Sequence, residues 1–456
     1  MVEQWLDACK ATPDCPTPDC RGYSPPMAGP DDVTRRTFLD AVAGIPAAAT
    51  LSREWRAAQP APTGPAGVGM PADLARSTAP SAADLGSNFD TVRRLDAGTA
   101  YPGSFLSGRF PSVDAFTAAG RASILEAYGY RPAPVPPAAE VVDRYEGADY
   151  IREKVVFSTT PLFRVPAYVF IPKGLRGRAP AIVDLHSHGG MFLFGKEKVI
   201  DFGRNHPAMT VYHAGNYEGR PTATALVRRG YVVISIDAFM FGERRVLMDA
   251  DLGSGWDRAA YDADTVTRLN QVCRSKESTL AKSLTVLGIS WPGLVAWDDM
   301  RTVDYLVSRP DVDPARVGCV GVSFGGWRSL FLSALDPRIA AGCIVGFMST
   351  IRSMLQRHVD THSWVHFVPG LHRHFDLPDV ASLNAPRPLM VLQCSRDALF
   401  PLDGMKAAVQ TIGDVYAKAG IADRFTSRFH DVPHEFNVRM QDEAFGWFDA
   451  HLRPRG

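Results

Sequence analysis

Val317-Gly318-Cys319-Val320-Gly321-Val322-Ser323-Phe324-Gly325-Gly326-Trp327-Arg328 is the stretch on which the fold turns. Its first six residues form a short apolar run with the length and branching of a buried strand, and residues 325–335 continue at helical spacing. A Gly-x-Ser-x-Gly between strand and helix has the context of a nucleophile elbow, with Ser323 as the nucleophile. A serine hydroxyl is a weak nucleophile, so a strained turn must hold it clear of its neighbours. Glycines two residues to either side are required because strand and helix pass too close for a Cβ, and Gly326 relieves the same crowding. The competing reading is a serine that merely caps the helix.

Working outward, further apolar runs lie at Ala181–Leu185, Tyr231–Ile236, Ala340–Val345, Leu389–Gln393 and Phe425–Phe429. Helical stretches near 222–229, 294–308, 403–419 and 437–452 alternate with them. Runs apolar on both faces fit a parallel sheet covered by helices, and the alternation implies right-handed crossovers. The expected fold is an α/β three-layer sandwich, mostly parallel. An antiparallel N-terminal hairpin (154–157 with 167–171) precedes it, after a helix over 112–129 that ends before Pro132. Two stretches, 238–290 and 347–385, are too long for simple connections and leave the strand ends where ligands bind in such sheets, so they are expected to wall the pocket.

A serine nucleophile needs a base and an orienting acid, in the order Ser, acid, His. Asp397 stands in the loop Ser395–Pro401, after the run Leu389–Gln393; Asp403, the alternative, reads as a cap of the next helix. His434 lies in the loop before the final helix and is the expected base, whereas His430 at the strand end reads as structural. The oxyanion hole is assigned to the backbone N–H of Phe324 and, from His186-Ser187-His188-Gly189-Gly190-Met191, to Gly190, with Met191 or Gly189 as alternatives. His188, Met191, Trp364 and His366 are the expected substrate contacts. His358, His362 and His366 are spaced to share one face of a helix, and with His372 and His374 they crowd one insertion. Imidazoles suit zinc or copper, but the elbow already supplies a nucleophile, so no metal is assigned. Glu243-Arg244-Arg245 is equally consistent with substrate contact and with a salt bridge.

Several blocks resemble the dienelactone-hydrolase-like and acetyl xylan esterase-like branch of the α/β-hydrolases. They are His186-Ser187-His188-Gly189-Gly190, Gly230-Tyr231-Val232-Val233 leading to Asp237, Trp297-Asp298-Asp299-Met300-Arg301, Ser308-Arg309-Pro310, Ala385-Pro386-Arg387-Pro388 and Pro433-His434-Glu435-Phe436. The resemblance covers roughly 150–456. It implies the α/β-hydrolase fold and ester hydrolysis by Ser–His–Asp without a cofactor, with carbohydrate acetyl esters as one substrate class. Dienelactone hydrolases proper use cysteine where Ser323 stands, which favours the acetyl-esterase side. A peptidase of the same fold and an inactive, hydrolase-like binding protein are the competing readings.

The 456 residues carry 49 Lys+Arg and 49 Asp+Glu, so no net field favours nucleic acid, and no apolar run approaches the ~20 residues of a membrane span. Residues 1–55 are expected to be a leader: Thr34-Arg35-Arg36-Thr37-Phe38-Leu39 resembles a twin-arginine export motif, followed by a mildly apolar stretch and small residues suited to cleavage. The competing reading is a helix capped by Asp31 or Asp32, and Met27 offers an alternative start with a shorter leader. The Ala/Pro-rich stretch 56–90 reads as a linker and 91–456 as the catalytic domain. Cys9, Cys15 and Cys20 lack metal-site spacing, and Cys319, Cys343 and Cys394 sit in strand-like runs as small hydrophobes.

Overall fold

The computed structural model describes residues 82–251 and 261–453. The leader motif, its cleavage region and the first three cysteines lie outside the described residues. Among the described residues nine strands form one sheet: β1 Glu140–Glu146, β2 Tyr150–Ser158, β3 Arg164–Pro172, β4 Ala179–Asp184, β5 Val232–Ile236, β6 Val312–Val322, β7 Ile339–Val345, β8 Leu389–Cys394 and β9 Phe425–His430. Their order is β1-β2-β3-β5-β4-β6-β7-β8-β9. Strands β1, β2, β3 and β5 pair antiparallel in succession, and every pairing from β5 through β4 to β9 is parallel. The expected hairpin is β2–β3. Strand β1 escaped the sequence reading because all seven residues are exposed and four are charged, the pattern of an edge strand guarded against pairing with another chain.

The principal helices are α1 Phe89–Asp96, α2 Val113–Tyr128, α3 Pro207–Tyr217, α4 Thr222–Arg228, α5 Ala263–Val286, α6 Trp291–Ser308, α7 Phe324–Leu335, α8 Leu377–Ser382, α9 Leu402–Lys418 and α10 Val438–Leu452. Ser112 caps α2 through its hydroxyl, and Gly129 ends it at φ 62°, a left-handed position suited to glycine. Helix α1 begins inside the stretch read as linker. The residues just before it are tied to the second insertion, with Asp84 N–H on Gln356 O at 2.9 Å.

After β4 the chain visits β5 on one side and then returns to β6 on the other. The crevice beyond the carboxyl ends of β4 and β6 is therefore a topological switch point, where ligands bind in such sheets. Four cysteines, Cys273, Cys319, Cys343 and Cys394, are free and buried. Burial pushes the Cys319 and Cys394 thiols up to about 12, which makes them poor nucleophiles.

Buried charges lock the layers behind this crevice. Asp299 on α6 receives Arg328 of α7 in a two-pronged pair at 3.0 and 2.6 Å, and Asp298 receives Arg244 at 2.7 Å. Glu243 pairs with Lys196 and Lys154, so Glu243 and Arg244 serve in salt bridges. Lys196 Nζ also lies 2.6 Å from Asp237 and 3.1 Å from Glu197. Glu197, Asp237 and Glu243 are the one trio among the described residues spaced to hold a metal ion, and this ammonium sits among them. Asp184, at the end of β4, accepts from Thr222 Oγ1 at 2.6 Å.

Desolvation raises the Asp184 carboxyl from its ordinary 3.8 to about 7. The folded chain therefore binds this proton more tightly than the unfolded chain, and stability falls as pH rises from about 4 to about 7 and then levels. Asp184→Asn keeps an acceptor for Thr222 without the charge. Urea unfolding at pH 5 and pH 8 is expected to show the variant gaining on the parent at the higher pH; an equal difference at both would refute this account.

Candidate active site

Ser323 joins β6 to α7 at φ 62° and ψ −124°, a conformation that non-glycine residues rarely adopt and that persists only when surroundings enforce it. The enforcement is visible: Ser323 N–H donates to Val345 O of β7, and Trp327 N–H donates to Ser323 O, both at 2.9 Å. A Cβ on Gly325 would lie 1.9 Å from Leu185 O, one on Gly321 2.4 Å from the same oxygen, and one on Gly326 2.6 Å from Val345 O. The glycines flanking the serine are thus demanded by backbone contact.

His434 Nδ1 and Asp397 Oδ2 are 2.5 Å apart. With the carboxylate accepting there, the proton resides on Nδ1 and the Nε2 lone pair is left open. That Nε2 is buried and, among the described residues, has no hydrogen-bond partner. Asp397 is itself held by Leu399 N–H at 2.9 Å on its other oxygen. Asp403 lies in the first turn of α9, bonded to Gly404 N–H, and His430 pairs with Glu443 at 3.2 Å. Ser323 and His434 both line a cavity of about 450 Å³, walled by the loop after β4, by α5 and by the 347–385 insertion. Among the described residues no hydrogen bond joins Ser323 to His434; such contacts often tighten only with substrate bound.

The loop after β4 departs from expectation. Gly190 N–H donates to His188 Nδ1 at 3.1 Å and Met191 N–H to His188 O at 3.2 Å, so both donors are engaged within the loop itself. The histidine ring two residues upstream captures the Gly190 donor, a local contact that glycine content alone does not disclose. Met191, an expected substrate contact, is absent from the cavity wall; its sulfur takes Asn270 Nδ2 at 3.1 Å and it packs into the apolar cluster beside α3. His188, Trp364 and His366 do line the cavity, and Trp364 is 51% exposed.

The spacing of His358, His362 and His366 does not become a helical stripe. His358 adopts φ 78°, which breaks the helix, and the segment folds as turns with short 3-10 pieces at Trp364–His366 and Leu371–Arg373. His372 leaves for Asp96 at 2.8 Å. His362 and His366 reach the cavity, each with Nδ1 on a backbone carbonyl (His358 O at 2.5 Å, Ser363 O at 3.1 Å) and Nε2 buried and, among the described residues, unpartnered. Burial pushes both imidazoles below their usual range, which favours neutral rings that present acceptors.

Arg274 and Glu277 also line the cavity and were missed in the sequence. With Asn270 they form a polar stripe at i, i+4, i+7 on α5, the signal that could have found them. Asn270 holds Phe192 and Leu193 N–H at 2.8 and 3.0 Å, and Glu277 Oε1 accepts from His188 Nε2 at 3.0 Å and from Ser363 Oγ at 2.5 Å.

A sequence profile of the "Abhydrolase family" matches residues 115–416. "Putative hydrolase YtaP" of Bacillus subtilis (strain 168) is 29% identical over 296 residues, 63% of this chain and 84% of that protein. Among solved structures, a "putative acetyl xylan esterase" of Bacteroides fragilis NCTC 9343 superposes with a TM-score of 0.57 at 20% identity, covering 78% of this chain and 85% of that one. A glucuronoyl esterase from Solibacter usitatus gives 0.51 at 17% identity, covering 75% and 97%. The structural likenesses establish a shared fold.

Gly325→Ala tests the close approach at the elbow. The added methyl group meets a backbone oxygen that cannot swing aside, so urea denaturation is expected to show a loss of at least about 1–3 kcal/mol. A loss within about 0.5 kcal/mol, the ordinary range for a surface change, would contradict the contact.

Proposed function

This chain belongs to the abhydrolase family, and on that footing we propose that it hydrolyses carboxylic esters through an acyl-enzyme formed on Ser323. The observation that carries the reading is the His434–Asp397 hydrogen bond at 2.5 Å, made on Nδ1 by a histidine that lines the same cavity as Ser323, which keeps its Nε2 available as the acceptor of a proton. Nε2 takes the hydroxyl proton as Ser323 Oγ attacks the ester carbonyl, and Asp397 stabilises the resulting imidazolium. Collapse of the tetrahedral intermediate returns that proton to the departing alkoxide, leaving the acyl group on Ser323. Water, deprotonated by the same nitrogen, then attacks the acyl carbonyl and frees the acid and the serine. Phe324 N–H, at the first turn of α7, is one oxyanion donor. With Gly190 and Met191 N–H already engaged, the second falls earlier in the loop, to His188 or Gly189.

Carbohydrate acetyl esters are the substrate class this reading favours. Trp364 offers a half-exposed ring for stacking on a sugar face, and the Nε2 acceptors of His362 and His366 suit hydroxyl donors. One fold neighbour, named a putative acetyl xylan esterase, agrees with this class, and another, a glucuronoyl esterase, agrees with it only as far as an ester of a sugar. The chain organisation proposed is an export leader at 1–55, a linker within 56–90 that ends before α1, and a catalytic domain that takes in α1 and runs to 456; the leader would take the enzyme across a membrane to such substrates. Among the described residues no helix is long and apolar enough to cross a membrane.

Ser323→Ala is expected to lower kcat on p-nitrophenyl acetate by about 10⁴–10⁶ and to abolish labelling by a fluorophosphonate probe. Asp397→Asn is expected to cost about 10⁴ in kcat, because the amide no longer holds the required imidazole tautomer. Unchanged turnover in a folded Ser323→Ala protein ends the proposal. For export, Arg35→Lys with Arg36→Lys is expected to retain the chain in the cytoplasmic fraction.

A further inference from the structure

Lys198 is fully buried, with none of its surface reached by solvent. Among the described residues it makes no salt bridge, in contrast to Lys196 two positions earlier, whose ammonium takes three carboxylates. Instead Lys198 Nζ donates to two consecutive backbone carbonyls, Ser187 O at 2.8 Å and His188 O at 2.9 Å. The ammonium also sits over the Phe241 ring at 4.7 Å. Burying a lysine head group among apolar rings is costly, and burial drives its pKa well down, so its retention calls for a specific task. Even as a neutral amine it keeps N–H donors for both carbonyls.

A trans peptide unit is planar, with C=O and N–H pointing in opposite directions. Ser187 C=O shares its unit with His188 N–H, and His188 C=O shares its unit with Gly189 N–H. A single donor behind the loop that captures both carbonyls therefore turns both N–H groups the other way. Ser187, His188 and Gly189 all line the cavity that holds Ser323. The Ser187 carbonyl is further fixed by His186 Nδ1 at 2.9 Å, and the Ser187 hydroxyl is hydrogen-bonded to Tyr212 OH.

We propose that Lys198 is a positioning residue for the reaction: by clamping the Ser187 and His188 carbonyls it aims the His188 and Gly189 N–H groups at the developing oxyanion and polarises both peptide units. Successive N–H groups presented together are a recognised anion-binding device, and donors fixed beforehand need no reorganisation as charge develops. The inference rests on the esterase reading above.

Lys198→Met, of similar length and apolar, is the direct test, with Lys198→Gln as the partner that keeps one amide donor. On p-nitrophenyl acetate the Met variant is expected to lose about 10²-fold or more in kcat with little change in KM, and the Gln variant to fall between it and the parent. Affinity for a methyl trifluoromethyl ketone, which forms a tetrahedral adduct on serine, should drop by the same factor as kcat. A folded Met variant within about threefold of the parent in kcat, or one whose loss lies in KM while ketone affinity is kept, overturns the proposal. Should the variants not fold, the parent protein crystallised with the ketone decides. The adduct oxygen is expected on Phe324 N–H together with His188 or Gly189 N–H, and an oxygen bonded to Gly190 N–H overturns the assignment. Failure of the parent to react with any ester or with a fluorophosphonate would instead remove the esterase reading beneath it.

Discussion

The carbonyl oxygen of Leu185 lies where strand β6, helix α7 and the loop after β4 converge, and no side chain fits between them. Gly321 and Gly325 each bring a bare Cα against this oxygen. That approach fixes how near the loop after β4 stands to Ser323, and hence whether backbone donors of the loop can reach an atom bonded to the serine. The unusual backbone angles of Ser323 are affordable because the strand ladder on one side and the helix on the other leave no alternative path.

Much of this was readable in the residues. Buried parallel strands are apolar on both faces, so β4 through β8 stand out in the sequence, and the elbow is unmistakable because its glycines answer a steric demand. Asp397 and His434 were expected together from loop position, since the sheet forces loops after successive parallel strands to one edge, and their side chains are hydrogen-bonded. What escaped depended on contacts between segments far apart in sequence. Edge strand β1 has no apolar signature because both its faces meet water. The loss of Gly190 as a donor comes from a ring nitrogen two residues away, and the stripe of Arg274 and Glu277 acquires meaning only once α5 lies across the cavity. The His358–His366 spacing misled because His358 takes a backbone angle that ends the helix on which the argument relied.

Buried charge is used in two ways near the crevice. Arg328 with Asp299, and Lys196 with its three carboxylates, are matched sets whose removal in part would strand a charge in a poorly solvating interior. They set the spacing of α6, α7 and the segment after β5. Lys198 belongs to neither set and gives its donors to backbone, so its burial holds a loop in place rather than completing an ion pair.

One oxygen of Glu277 serves both His188, beside the serine, and Ser363, in the insertion that carries Trp364 and His366. Because the two bonds share an acceptor, movement of the covering segment strains the histidine, and reorientation of the histidine tugs on the cover. Recognition at the rim and reactivity at the centre therefore cannot drift independently. On the esterase reading, remodelling the cover to admit a bulkier alcohol would be felt as altered turnover even for small esters that never touch it.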